Sequence, residues 1–180
     1  MKFIIDAMLG KLARWLRMLG QDVSYSVMFS DNELLGLAKA EGRVLLTKDF
    51  ELYKSAIGRG LDAFYMEGKT ESSLLAEVAN RYGLTLEINM DKSHCPACNT
   101  PLESAQKEQL KNQLQPNTYR YYDRFWRCPN CGQIYWQGAH WKQIQNTLEQ
   151  ARQKRVCKDG FGALKGVGPF TTEDELDTPA

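Results

Sequence analysis

The sequence predicts an α/β fold, a largely parallel β-sheet flanked by helices, followed by a small ribbon held together by cysteines. Three observations carry this. Over residues 1–90, short apolar runs alternate with capped helical patterns. Near Asp91 that alternation stops, and 10 of the 11 glutamines lie after residue 100. Two Cys-x-x-Cys pairs then appear in a chain where stable disulfides are not expected.

The elements follow in order. "KFIID" reads as a buried strand. The helix after it carries Leu9, Leu12, Ala13, Leu16 and Leu19 on one face and closes at Gly20. "DVSYSVMF" is a second strand. "SDNELLGLAKAEG" sets Glu33 three residues after Ser30, a capping-box pattern, and ends at Gly42. "RVLLT" is a third strand, "KDFELYKSAIGRG" a helix, "LDAFYM" a fourth strand and "TESSLLAEVANRYG" a further capped helix. Strands alternating with helices imply right-handed crossovers and a sheet covered on both faces.

The net charge of +1 is unevenly spread. Residues 1–90 hold 11 Lys/Arg against 12 Asp/Glu, residues 91–157 hold 10 against 5, and residues 158–180 hold 2 against 5. The expected organisation is a near-neutral body over 1–90, a basic module over 91–157 and a flexible acidic tail over 158–180. No apolar run is long enough to span a bilayer, and the N-terminus shows no signal-peptide pattern. A cytoplasmic location without membrane attachment is expected.

Cys95 and Cys98 in "HCPACN", with Cys128 and Cys131 in "RCPNCG", form two tight knuckles whose four thiolates suit one tetrahedral zinc ion. The alternative is two separate redox dithiols. The 29 residues between the pairs exceed the commonest spacing, so an insertion loops out. His94 abuts Cys95 as a substitute ligand, and Cys157 stands apart as a bystander thiol. Between the knuckles, Arg120, Arg124 and Arg127 interleave with aromatic residues, which suits phosphate neutralisation and base stacking on a nucleic acid; the alternative is a module that only staples the fold. Some of those rings must build the ribbon's own core. His140, between Trp136 and Trp141, reads either as a hydrogen-bonded structural group or as a phosphate contact.

Ligands of parallel sheets bind beyond the carboxyl ends of the strands. Asp6 follows the first strand, Asp49 the third, and Asp31 and Glu33 open the helix after the second. Hard oxygen donors without histidine or thiol suit Mg²⁺ or Mn²⁺. Each acid alone reads equally as a helix cap. Lys11, Arg14 and Arg17 form a cationic series on the first helix, and Lys48 precedes Asp49.

"DAMLGKLARWLRMLGQDV", "SDNELLGLA", "GRVLLTKD" and the knuckles with "FWRCPNCGQIYWQGAHW" together resemble the PIN-like ribonuclease domain of the Mut-seven C-terminal type, with attached zinc ribbon. The resemblance covers residues 2–148. It implies a PIN-like α/β fold and metal-dependent RNA cleavage. It also implies acid ligands at Asp6, Asp31 and Asp49 and a four-cysteine zinc site. A fourth acid is common in such domains; Glu33 is the first candidate here and Glu67 the second. The resulting expectation is a metal-dependent ribonuclease, an endoribonuclease, with Lys11, Arg14, Arg17, Lys48 and the ribbon holding RNA. The alternative is an inactive zinc-ribbon adaptor that only binds RNA.

Overall fold

The computed structural model describes residues 1–159, with side chains to Arg155 in the last helix; the tail expected from 158 lies, beyond Asp159, outside the described residues. Four parallel strands, β1 (Lys2–Ile5), β2 (Asp22–Tyr25), β3 (Val44–Thr47) and β4 (Ala63–Tyr65), form one sheet in the order β2-β1-β3-β4. A 3₁₀ turn (Ala7–Leu9) leads into α1 (Gly10–Met18); α2 (Asp31–Glu41) and α3 (Phe50–Gly58) fill the remaining two crossovers, and α4 (Glu71–Tyr82) follows β4. The predicted α/β architecture is therefore the one formed.

Alternation along the central strands separates two cores. Phe3, Ile5, Val44 and Leu46 face α1 and α4, whereas Ile4 and Leu45 face α2 and α3. Strands buried on both faces read as continuous apolar runs, which is why "FII" and "VLL" carry no polar residue. The helix ends follow their sequence signals. Ser30 and Glu33 form a reciprocal capping box on α2, and Gly42 and Gly83 take left-handed conformations as C-caps. The second strand is shorter than "DVSYSVMF": pairing stops at Tyr25, where β1 also ends, and the Met28 N–H turns back onto Ser26 Oγ.

Beyond residue 90 lies a three-stranded antiparallel sheet, β5 (Glu103–Ala105), β6 (Phe125–Arg127) and β7 (Ile134–Tyr135), with a short α5 (Pro116–Tyr121) in the inserted loop. A long α6 (Trp141–Asp159) returns from it to pack on α4. The apolar core on the α1/α4 face continues without a break through Leu86, Ile88 and Met90 into Cys95, Leu102, Trp126, Cys128, Leu148 and Ala151. Arg152 fixes this return by donating through Nε and Nη2 to the Leu86 carbonyl at 3.1 and 2.7 Å. Among the described residues, no helix is long and apolar enough to cross a membrane.

Candidate active edge and four-cysteine site

All four strands of the parallel sheet point their carboxyl ends the same way, so the loops after them share one edge. Asp6 sits there immediately past β1, 9% exposed. Its Oδ1 accepts from the Met8 N–H at 3.2 Å, capping the 3₁₀ turn. Its Oδ2 accepts from Thr47 Oγ1 at 2.8 Å, and the same Oγ1 accepts from the Asp49 N–H at 2.9 Å. Thr47, the fully buried last residue of β3, thus ties the first acid to the loop carrying the second. Asp49 is exposed and caps α3 through Oδ1, which accepts from the Glu51 and Leu52 N–H groups at 2.8 and 3.0 Å. Among the described residues, no hydrogen bond reaches its Oδ2. Cap and ligand are therefore not exclusive roles for Asp6 or Asp49, because each carboxylate retains lone pairs after capping.

The other expected acids stand apart from this pair. Asp31 opens α2 as an exposed residue, freed from capping because Ser30 does that work. Glu33 is engaged instead: its Oε2 accepts from the Ser30 N–H and hydroxyl at 2.8 and 2.7 Å, which holds its carboxyl below the usual carboxylate range. Glu67 is exposed in the loop after β4, and its N–H donates to Glu77 Oε2. Among the described residues, the carboxylates do not close into a group of three ligating atoms; the four cysteines do.

Of the expected cations, Lys48 Nζ donates to the Gly68 carbonyl at 2.7 Å, at the same edge. Lys11 is exposed and pairs with Glu71 at 3.2 Å, while the other Glu71 oxygen accepts from Trp15 Nε1 at 2.8 Å. Arg14 is exposed. Arg17 requires a correction, being 5% exposed and off any phosphate track. Three helical residues advance about 300°, so the Lys11–Arg14–Arg17 series drifts about 60° per step, and its last member swings towards the core face. There Arg17 donates through Nε and Nη2 to the Val23 carbonyl at 3.1 and 2.9 Å. Its Nη1 reaches the Pro96 and Ala97 carbonyls of the first knuckle at 3.0 and 3.2 Å. Burial lowers its pKa from the ordinary value.

Asn99 completes this junction. In the left-handed region at φ 69°, it turns the knuckle so that its Oδ1 accepts from the Val23 N–H at 2.8 Å and its Nδ2 donates to Asp22 at 2.7 Å. The outer edge of β2 is thereby closed by a residue of the cysteine turn.

The sulfur atoms of Cys95, Cys98, Cys128 and Cys131 lie within 4.8 Å of one another, with Cys95–Cys131 at 3.6 Å and Cys98–Cys128 at 3.4 Å. A tetrahedron with Zn–S bonds of about 2.3 Å has edges of about 3.8 Å, close to these separations. The Thr100 hydroxyl beside Cys98 holds that thiol down at about 5. The Gln133 backbone favours the Cys131 thiolate, yet burial and the facing sulfurs push Cys131 up to about 12. Four sulfurs this close cannot all be anionic without a cation among them, so the donor set fits a metal ion. Burial, then proximity to Cys95, raises the Tyr135 pKa, and its hydroxyl lies 3.1 Å from Cys95 Sγ. His94 is not a ligand; its Nδ1 lies 2.8 Å from the Asn99 carbonyl.

On the ribbon, Phe125 is buried, Trp126 belongs to the core shared with the α1/α4 face, and Trp126 Nε1 donates to Asp91 at 2.7 Å. Arg120, Arg124 and Arg127 are exposed, with Arg124 lying over the Trp126 ring at 5.1 Å and Arg120 over Tyr121 at 5.7 Å. His140 is exposed at the start of α6. Sequence reasoning missed Thr47 and Asn99; a threonine ending an apolar strand is too ordinary to mark a site, whereas an asparagine closing a knuckle is a usable signal for a left-handed turn.

A parallel α/β sheet with acids at its carboxyl edge, joined to a ribbon of four clustered cysteines that could hold a metal ion, defines the class of this α/β protein. The sequence matches the Mut7-C RNAse domain over residues 1–148, and the chain belongs to that family of ribonuclease domains. No curated protein and no solved structure matches it.

Proposed function

We propose that this protein is a metal-dependent endoribonuclease that hydrolyses RNA phosphodiester bonds at the carboxyl edge of the parallel sheet, with the zinc ribbon aiding RNA binding. The observation that carries this reading is the Asp6–Thr47–Asp49 linkage: two acids from adjacent strands, held in register by one buried hydroxyl. Asp6 and Asp49, with Asp31 across β2, supply the all-oxygen donors that suit Mg²⁺ or Mn²⁺. Such ions keep several waters and bind through one or two carboxylates, so the acids need not close on one another. When bound, the ion supplies the charge that activates a water and stabilises the leaving oxygen.

The protein's own contribution is orientation. Thr47 Oγ1 accepts from the Asp49 N–H and donates its single proton to Asp6 Oδ2, which orients that carboxylate. Lys48, Lys11 and Arg14 are assigned to backbone phosphates beside the acids, and Arg120, Arg124, Arg127 and His140, exposed on the ribbon, to further RNA contacts. Zn²⁺ at the cysteine site is structural.

The test is cleavage of RNA in Mn²⁺ by the full chain beside Asp6→Asn and Asp49→Asn, which keep shape and remove charge. Each variant should lose on the order of 100-fold in rate. Cleavage that survives both substitutions overturns the assignment. Absent cleavage with retained RNA binding would instead mark the chain as an RNA-binding adaptor.

A further inference from the structure

The residue directly after Asp49 is Phe50, the first residue of α3, and it is 53% exposed. It belongs to neither apolar core. It is not alone. Tyr65, the last residue of β4, meets it edge-on at 5.6 Å between ring centroids, and Tyr53 stacks beside it at 6.2 Å with 30° between planes. Tyr53 and Tyr65 lie 6.1 Å apart, closing a triad on the same sheet edge as the acids. Lys54 Nζ sits 5.2 Å from the Phe50 centroid. The fold does not need an aromatic here: a first-turn position half in water could hold any residue, and burial would favour the opposite placement. A ring exposed beside an acid, stiffened by two others and accompanied by a cation, has the composition that receives a base and its phosphate.

We propose that Phe50, backed by Tyr53 and Tyr65, is a stacking platform for one unpaired nucleobase next to the candidate active edge. This makes Phe50 a specificity-determining residue, selecting RNA segments whose base can leave its own stack. The proposal rests on the reading of this edge as the RNA-cleaving site. A base within an A-form duplex is stacked on both sides and presents no free face to Phe50, whereas a base in a single strand or loop does. Lys54, which lies over the ring and pairs with Glu51 at 2.8 Å, is the cation beside this platform and the candidate contact for the phosphate of that nucleotide. Met8 and Met28, 68% and 83% exposed in the loops after β1 and β2, add adaptable apolar surface on the far side of Asp6.

The experiment uses the full chain. Binding of a fluorescein-labelled single-stranded RNA 12-mer and of the same RNA annealed as a blunt duplex is followed by anisotropy in the Asp6→Asn background. Cleavage is followed with Asp6 intact. Phe50→Ala should weaken single-strand binding roughly 10-fold and leave duplex binding unchanged, since the latter depends on phosphate contacts. Phe50→Trp should restore it. Phe50→Leu, apolar but without a ring face, should behave as Phe50→Ala does. Unchanged single-strand affinity in Phe50→Ala, equal loss on both RNAs, or full rescue by Phe50→Leu each overturns the platform. If Phe50→Ala retains single-strand affinity while the chain with Asp6 intact still cleaves, the platform fails and the nuclease reading stands. If that chain neither binds nor cleaves RNA, both fail together.

Discussion

At the scale of the residue, the carboxylates show how a structural and a chemical role share one side chain. Asp6 and Asp49 are both helix caps, as the cap reading of "IIDAML" and "TKDFEL" allows, and both remain at one sheet edge. What the sequence could not display is the hydroxyl between them, because a lone threonine ending a strand is ordinary. Thr47→Val keeps shape and β-propensity but leaves Asp6 without its buried donor and the Asp49 N–H without its acceptor. The expected cost is about 1–3 kcal/mol in urea unfolding, with a fall in RNA cleavage that Thr47→Ser largely avoids. Equal behaviour of the two variants would remove Thr47 from the site. Asp22 offers a second residue-level test. Burial opposes its ionisation, but hydrogen bonds from Arg43 and Asn99 outweigh that and lower its pKa below 3.8. The ionised form's contribution is therefore complete above about pH 4 and is lost as pH falls through the lowered value. Asp22→Asn should flatten the acid limb of the stability curve below about pH 4 and leave its pH dependence between pH 5 and 8 unchanged.

At the scale of the element, α1 and β2 show where pattern reading stops. The strands and capped helices of residues 1–90 were legible because their signals are local: apolar runs for β1 and β3, Ser30 with Glu33, Gly42 and Gly83. Arg17 was not, since a cation at helical spacing is solvated in most contexts and only the knuckle's arrival buries this one. The helix α6 was also unread; its buried stripe of Leu148 and Ala151 is sparse among glutamines and charges, and its partner, α4, lies some 70 residues earlier. Arg17→Lys tests the junction. Lysine cannot reproduce a planar fork that serves Val23 and the Pro96 and Ala97 carbonyls at once, so the chain should lose about 2–3 kcal/mol despite conserved charge. A loss below about 0.5 kcal/mol in urea unfolding, the usual range for surface changes, would mean that water replaces the guanidinium there.

At the scale of the whole molecule, the cysteine site and the parallel sheet are one packing problem. Cys95 and Cys128 lie in the same buried cluster as Phe3, Leu12 and Leu16, and the first knuckle reaches β2 through Asn99 and α1 through Arg17. Loss of the ion would leave four sulfurs to repel or reprotonate, opening the turn that presents the Pro96 and Ala97 carbonyls and the Asn99 side chain. The consequence is directional. Val23 would lose its N–H partner on the outer edge of the sheet, and Arg17 would keep a buried charge with one of its three acceptors. Chelation of the zinc-loaded chain should therefore raise hydrogen exchange at the Val23 amide and across α1, not only within the ribbon. The β3 amides, covered by neighbours on both sides, should respond least. Asn99→Ala should reproduce the Val23 effect with zinc still bound, since it removes that acceptor without touching a sulfur. If chelation instead loosens the ribbon alone and Val23 stays protected, the ion does not hold this junction. In that case the shared core, rather than the knuckle, is what keeps the strand edge closed.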